Sequence, residues 1–291
     1  MSRFADVAGR YVYLTVQGVE YRVYFEEAGS GTPVVLQHTA GCDNRQWRHL
    51  LEDPDVTADF RLIAVDLPYH GKSLPPTSER WWTTEYTLTE EFLLAFHVAF
   101  VEALELDRPV YMGCSMGGHL AADLALRHPG SYRAVVGIEA TLHSHGMERI
   151  LPWLYHPEIS NDTKPALMHT LCAPDSPEEF VRETVWVYSQ GAPPVFKGDL
   201  EYYMVGHDLT DSARDIDTDR VGVWVLSAEY DWAAPPAACA ALAAEVRGSH
   251  FVPMPGIGHF PMSENPARFK QIILPVLREA ALSGQVAAVR A

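Results

Sequence analysis

Short apolar runs recur along the chain at 33–38, 61–66, 109–114, 133–139, 221–227 and 251–255, each rich in Val, Ile or Leu. Runs of this length without polar alternation predict strands covered on both faces, as in the interior of a parallel sheet. Ahead of them, 11–16 and 21–26 flank Gln17-Gly18 and predict a hairpin, hence an antiparallel edge. Helical patterns fill the gaps. Thr87 with Glu90 forms a capping-box pattern opening a helix toward Leu106. The segment 116–127 follows a strand directly and ends at Pro129-Gly130. An alanine-rich helix is expected over 235–246 and a last one over 266–282. This alternation predicts an α/β fold: a mostly parallel eight-stranded sheet with helices on both faces.

One stretch breaks the alternation. From 141 to 220 there is no buried-strand pattern, but much Trp, Tyr, His and Pro. So long a segment between two core strands is more than a connection. The expectation is a core of 1–140 and 221–291, with 141–220 inserted as a helical cap.

Composition narrows the function classes. The 291 residues are 47% hydrophobic and 21% charged, as in ordinary globular proteins. Lys and Arg number 22 against 38 Asp and Glu, a formal charge of −16. Such a balance argues against nucleic acid and against anionic membrane surfaces as partners. The first ten residues lack a signal peptide's apolar run. The most apolar helix, near 92–104, is interrupted by His97 and Glu102. Cys42, Cys114, Cys172 and Cys239 are scattered with no CxxC pair, which reads as reduced thiols rather than a zinc site. A cytoplasmic protein is expected, acting on a small molecule, its oligomeric state open.

The chemistry centres on Val110-Tyr111-Met112-Gly113-Cys114-Ser115-Met116-Gly117-Gly118. The string G-x-S-x-G lies between a predicted strand and a predicted helix, the context of a nucleophile elbow. Such a turn lifts the Ser115 hydroxyl above the sheet, and the Met116 N–H at the new helix start becomes an oxyanion donor. The competing reading, a Gly-rich nucleotide-binding turn, is disfavoured because the pattern falls mid-chain rather than after the first strand. A serine needs a base. His259, in Pro255-Gly256-Ile257-Gly258-His259-Phe260-Pro261, follows the last strand and precedes the last helix. The acid should lie between the two in sequence. Asp231 is chosen from the turn Glu229-Tyr230-Asp231, with Glu229 and Glu139 as the other positional candidates. The second oxyanion donor is expected in the loop running from His38 to Trp47, at the Ala40 N–H.

With these residues in place the chain resembles the α/β-hydrolase superfamily, in particular its capped esterases, lactonases and cofactor-free haloperoxidases. The loop His38 to Trp47 is similar to that family's H-G-x-P…W, and Asp66-Leu67-Pro68-Tyr69-His70-Gly71-Lys72-Ser73 to its D-x-P-G-x-G-x-S. Two departures stand out: Thr39 and Tyr69 occupy positions where the family usually has Gly. The resemblance implies a Ser115–His259–Asp231 triad, an oxyanion hole of the Ala40 and Met116 amides, and an acyl-enzyme. It implies neither metal nor organic cofactor, and His143 with His145 is too sparse a pair to argue otherwise. For the pocket, His38, Glu139 and Trp186 are the substrate-binding candidates. Hydrolysis of a carboxylic ester or lactone of apolar or aromatic character is the first reading. Cleavage of a carbon–carbon bond in a β-diketone-like substrate uses the same triad, and a non-turnover small-molecule receptor can keep it; both stay open. Dehalogenase and epoxide hydrolase are disfavoured, because those relatives use Asp where this chain has Ser115.

Overall fold

Val34, Val35 and Leu36, like Leu62, Ile63, Ala64 and Val65, have no solvent exposure at all, so their side chains are covered on both sides of a sheet. Each such Val, Leu or Ile contributes about 1.5–3 kcal/mol of burial, which is why the apolar runs settle there. The computed structural model describes residues 2, 4–156 and 163–283. Its strands are β1 (Ala8–Val16), β2 (Val19–Gly29), β3 (Thr32–Gln37), β4 (Phe60–Val65), β5 (Val110–Cys114), β6 (Ala134–Ile138), β7 (Gly222–Ala228) and β8 (His250–Met254). They form one sheet in the order β1-β2-β4-β3-β5-β6-β7-β8. The pairs β1–β2 and β2–β4 are antiparallel, and the remaining neighbours are parallel. The eight-stranded, mostly parallel sheet with an antiparallel edge is the one the sequence predicts. The last strand differs in one respect. β8 pairs only with β7 and leaves His250 and Phe251 exposed, so it is an edge and not a strand buried on both faces. Pro253 is tolerated there because an edge strand has a free side.

The helices that matter are α1 (Glu90–Ala103), α2 (Met116–Arg127), α3 (Thr163–Leu171), α4 (Glu178–Ser189), α5 (Pro193–Glu201), α6 (Pro236–Glu245) and α7 (Pro266–Leu282). The start of α1 is capped by Thr89, whose hydroxyl accepts from the Phe92 N–H at 3.2 Å. The Thr87 pattern therefore misplaces the start by two residues. Between β6 and β7 the described residues form α3, α4 and α5 and no named strand. Among the described residues, no helix is long and apolar enough to cross a membrane.

A buried ion pair ties this insertion to the core. His207 contacts both carboxylate oxygens of Asp123 on α2 through Nδ1 at 3.0 Å, while its Nε2 faces the Thr141 carbonyl at 3.0 Å. Both nitrogens face acceptors, so both must donate and the ring is an imidazolium. Burial pulls the His207 pKa down, but the Asp123 charge and hydrogen bond raise it above the ordinary value. A raised folded-state pKa stabilises fully below the unfolded value of about 6.5 and is lost as pH climbs through the folded value. Thermal stability should therefore fall above neutrality. His207→Gln should cost about 3–5 kcal/mol at pH 6, because it strands the Asp123 carboxylate. It should also flatten the alkaline decline, and melting curves from pH 5 to 10 check both.

Candidate active site

Ser115 sits where β5 ends and α2 begins, with φ 55° and ψ −113°. That conformation is strained for a residue with a side chain, and it persists because the turn is held on both sides. The Ser115 N–H donates to the Ile138 carbonyl at 2.8 Å, and its own carbonyl accepts from the His119 N–H at 2.8 Å. The glycines of the motif follow from packing. A Cβ on Gly113 would run into the Gly117 carbonyl, and one on Gly117 would lie 2.9 Å from the Gln37 backbone oxygen. The Met116 N–H belongs to the first helical residue, which has no intrahelical acceptor.

His259 is delivered by the loop after β8. Its N–H donates to the Leu171 carbonyl at 2.9 Å, and its Nδ1 meets Asp231 Oδ2 at 2.5 Å. Asp231 Oδ1 accepts from the Ala233 and Ala234 N–H groups at 2.7 and 3.1 Å. Burial would raise the Asp231 pKa, but the His259 partner and these amides hold it below the usual carboxylate value. The carboxylate thus stays charged and fixes Nδ1 as the protonated nitrogen, leaving Nε2 free to accept. Glu229 stands apart: it is exposed, and its Oε2 accepts from the Gly256 N–H at 2.8 Å, shaping the turn before the histidine.

Ser115 and His259 line one cavity of about 40 Å³, together with Thr39 and Ala40. Among the described residues no hydrogen bond joins the two side chains directly, and Tyr203 lines the same cavity. Tyr203 itself stacks on His119, with ring centroids 5.1 Å apart. Most of the remaining lining is apolar and comes from the insertion, including Met147, Met168, Phe196, Leu200 and Met204. Among the described residues, no Asp, Glu, Lys or Arg side chain lines the cavity.

The oxyanion loop is more fully specified than sequence suggests. The Thr39 N–H donates to Gln46 Oε1 at 3.0 Å, the Gly41 N–H to Asp199 Oδ2 at 2.6 Å, and the Cys42 N–H to the Thr39 carbonyl at 3.3 Å. Among the described residues, nothing takes up the Ala40 N–H. Thr39, at the family's Gly position, does not have positive φ, and its hydroxyl bonds the Tyr188 hydroxyl of α4. Tyr69 does have positive φ, 74°, at a cost of about 1–2 kcal/mol. Its ring packs on Tyr86 at 4.5 Å and Trp81 at 6.2 Å.

Three residues assigned to the pocket stand elsewhere. His38 is fully buried, donating from Nδ1 to the Thr39 carbonyl at 2.8 Å and accepting at Nε2 from the Leu67 N–H at 3.2 Å. Burial and the neighbouring His70 push its pKa down to about 4, so it is neutral. Its ring orients the loop and does not touch the cavity. Glu139, also at positive φ, 58°, is buried behind the acid turn, where Oε1 accepts from the Ala228 N–H at 2.9 Å. Burial, then the Asp231 charge, raises its pKa well above the usual value, so it is a neutral acid. Trp186 is 65% exposed and lines an outer groove with His169, Val181 and Arg182. The α4 face that turns inward carries Tyr188 instead. No motif marked Asp199 in advance, because its partners lie in distant segments of the chain.

Comparison with known proteins agrees with the fold. The profile of a family described as alpha/beta hydrolase fold matches residues 32–165. The chain is 36% identical over 119 residues to bifunctional epoxide hydrolase 2 of Sus scrofa, a match covering 40% of this chain and 20% of that protein. The chain thus spans only about a fifth to a half of the length of the first curated relatives it matches. A thermophilic esterase from Thermogutta terrifontis superposes with a TM-score of 0.80 at 22% identity, covering 94% of this chain and 99% of that one. An enol-lactonase from Burkholderia xenovorans LB400 gives 0.78 at 21% identity, with 92% and 100% covered.

Proposed function

Starting from a chain that has the α/β-hydrolase fold, we propose that it is a serine hydrolase of neutral, apolar carboxylic esters or lactones, with 141–220 as its cap. The observation that carries this reading is the shared cavity: Ser115, His259 and Ala40 line it, no hydrogen bond takes up the Ala40 N–H among the described residues, and His259 is held by Asp231. Ser115 Oγ attacks the carbonyl carbon while His259 Nε2 takes its proton. The oxygen that gains charge is stabilised by the Ala40 and Met116 N–H groups. The His259 imidazolium, steadied by Asp231, protonates the leaving alkoxide, and water then releases the acid by the reverse sequence. A lactone follows the same path, with the alcohol remaining part of the product.

Substrate class follows from the lining. Among the described residues the lining has no Asp, Glu, Lys or Arg side chain to compensate a buried substrate charge. Its size, about 40 Å³, holds only a few water-sized groups. A short acyl chain fits as the cavity stands, and the methionines that line it can yield to a larger one. That an esterase and an enol-lactonase are among the protein's structural neighbours accords with this class. The epoxide hydrolase likeness is not followed, because Ser115 occupies the nucleophile position.

A panel of p-nitrophenyl esters, lactones and β-diketones, read by product mass, tests the reading. Acetyl to butyryl esters should exceed octanoyl by about tenfold in kcat/KM, an order set by one or two buried methylenes. A monoester of a dicarboxylic acid should be turned over least. Preference for this anionic ester would overturn the substrate class. Cleavage confined to the diketones would move the assignment to carbon–carbon hydrolysis, and the lack of any multiple turnover would favour a receptor.

A further inference from the structure

The insertion reaches the oxyanion loop through one carboxylate. Asp199, on α5, has no solvent exposure. Its Oδ2 accepts from the Gly41 N–H at 2.6 Å and from His70 Nε2 at 2.8 Å, and its Oδ1 accepts from the Tyr86 hydroxyl at 2.9 Å. His70 also faces the Pro68 carbonyl through Nδ1 at 2.9 Å, so both ring nitrogens donate and the ring is a cation. Burial alone would lower the His70 pKa; the Asp199 charge and hydrogen bond more than offset that and raise it. Every oxygen of this buried anion has a partner, as a buried carboxylate requires.

What the carboxylate holds is the peptide after Ala40. A peptide group is planar, so fixing one of its polar atoms fixes the direction of the other. The Thr39–Ala40 peptide is held at its carbonyl by the His38 ring and the Cys42 N–H, which sends the Ala40 N–H the opposite way. The Ala40–Gly41 peptide is held at its N–H by Asp199. Both planes flanking the Ala40 Cα are thereby set, one by the core and one by the insertion. Gly41 is also the place where the insertion's Phe196 presses closest: a Cβ there would lie 2.8 Å from the ring. Gly41 has φ 65°, a conformation that favours glycine, so without its anchor the residue has more freedom than any other in the loop.

We propose that Asp199 is a positioning residue for the oxyanion hole: its carboxylate couples the seating of α5 to the conformation of the backbone at Ala40, whose N–H belongs to that hole. The hole is then complete only while the insertion is docked, which protects the acyl-enzyme chemistry from bulk water. This rests on the serine-hydrolase reading above. The Thr39–Tyr188 hydroxyl pair supports the same coupling from α4.

Matched oxo and thiono esters separate this role from a merely structural one, because sulfur is the poorer hydrogen-bond acceptor and gains less from an oxyanion hole. Asp199→Ala should lower kcat on the oxo ester by about 100-fold, the order of losing one oxyanion donor, with KM within about threefold. The thiono ester should lose less than about tenfold, so the oxo/thiono ratio collapses. Asp199→Asn keeps an oxygen acceptor for Gly41 and should fall between the two, and it serves where the alanine variant fails to fold. Hydrogen exchange over 38–47, which needs no turnover, should accelerate at 40–42 in both variants. An unchanged oxo/thiono ratio, or unchanged exchange in that loop, overturns the proposal. A wild type that turns over neither ester ends the hydrolase reading instead, and exchange still decides whether Asp199 holds the loop.

Discussion

Ser115→Ala should fold as the parent does and hydrolyse short p-nitrophenyl esters about 10⁵-fold more slowly or worse. On the proposed reading the loss follows from the removal of the attacking oxygen, since the remaining groups of the site would orient and polarise a carbonyl without attacking it. The fold is spared for an equally local reason. The elbow is held by backbone contacts, from the Ser115 N–H to the Ile138 carbonyl and from the His119 N–H to the Ser115 carbonyl. Neither involves Oγ. The side chain faces the cavity, so the melting temperature should move by no more than about 2 °C. Steady-state rates with calorimetry on the same preparation check this. A variant that keeps near-parental turnover would place the nucleophile elsewhere, and one that unfolds would show that the strained turn needs the hydroxyl.

The second large effect concerns the acid. Asp231→Asn should lower kcat by about 10⁴-fold at neutral pH, while Glu229→Gln should stay within about threefold of the parent. With Asp231, Nδ1 of His259 carries the proton at 2.5 Å from a carboxylate oxygen, and Nε2 is left as the base. An amide in that place can present its NH₂ to Nδ1, which then must accept; the proton moves to Nε2 and the base is lost. The imidazolium formed during turnover also loses its counter-charge. Glu229 should not substitute, because its exposed carboxylate holds the Gly256 N–H. Glu139 is closer but is held as a neutral acid, so Glu139→Gln should have little effect at neutral pH. Equal losses in Asp231→Asn and Glu229→Gln would return the acid to the turn as a whole.

The elements that sequence placed best are those where a single local force decides. The buried strands follow from uninterrupted Val, Ile and Leu, since only a sheet covered on both faces hides every residue of such a run. The bounds of α2 and α7 are also read directly. α2 starts at a strained serine and ends before Pro129-Gly130; α7 begins at Pro266, where a missing N–H costs nothing. Where two local signals compete, sequence falters by a residue or two. Both Thr87 and Thr89 can cap α1, and Thr89 prevails because its hydroxyl reaches the Phe92 N–H.

Sequence alone determined the sheet, its antiparallel edge, and the residues brought to the strand ends, because spacing along the chain encodes which faces are buried and where the turns fall. Tertiary structure alone decided what surrounds the serine. Gly41 and Asp199 are 158 positions apart, and Thr39 and Tyr188 are 149 apart. No periodicity links such pairs, so the inward turn of Tyr188, the outward turn of Trp186 and the retreat of His38 and Glu139 from the cavity arise only when the insertion packs. A helix's spacing says that it has an apolar face; which neighbour that face meets is settled by shape and by the satisfaction of buried charge.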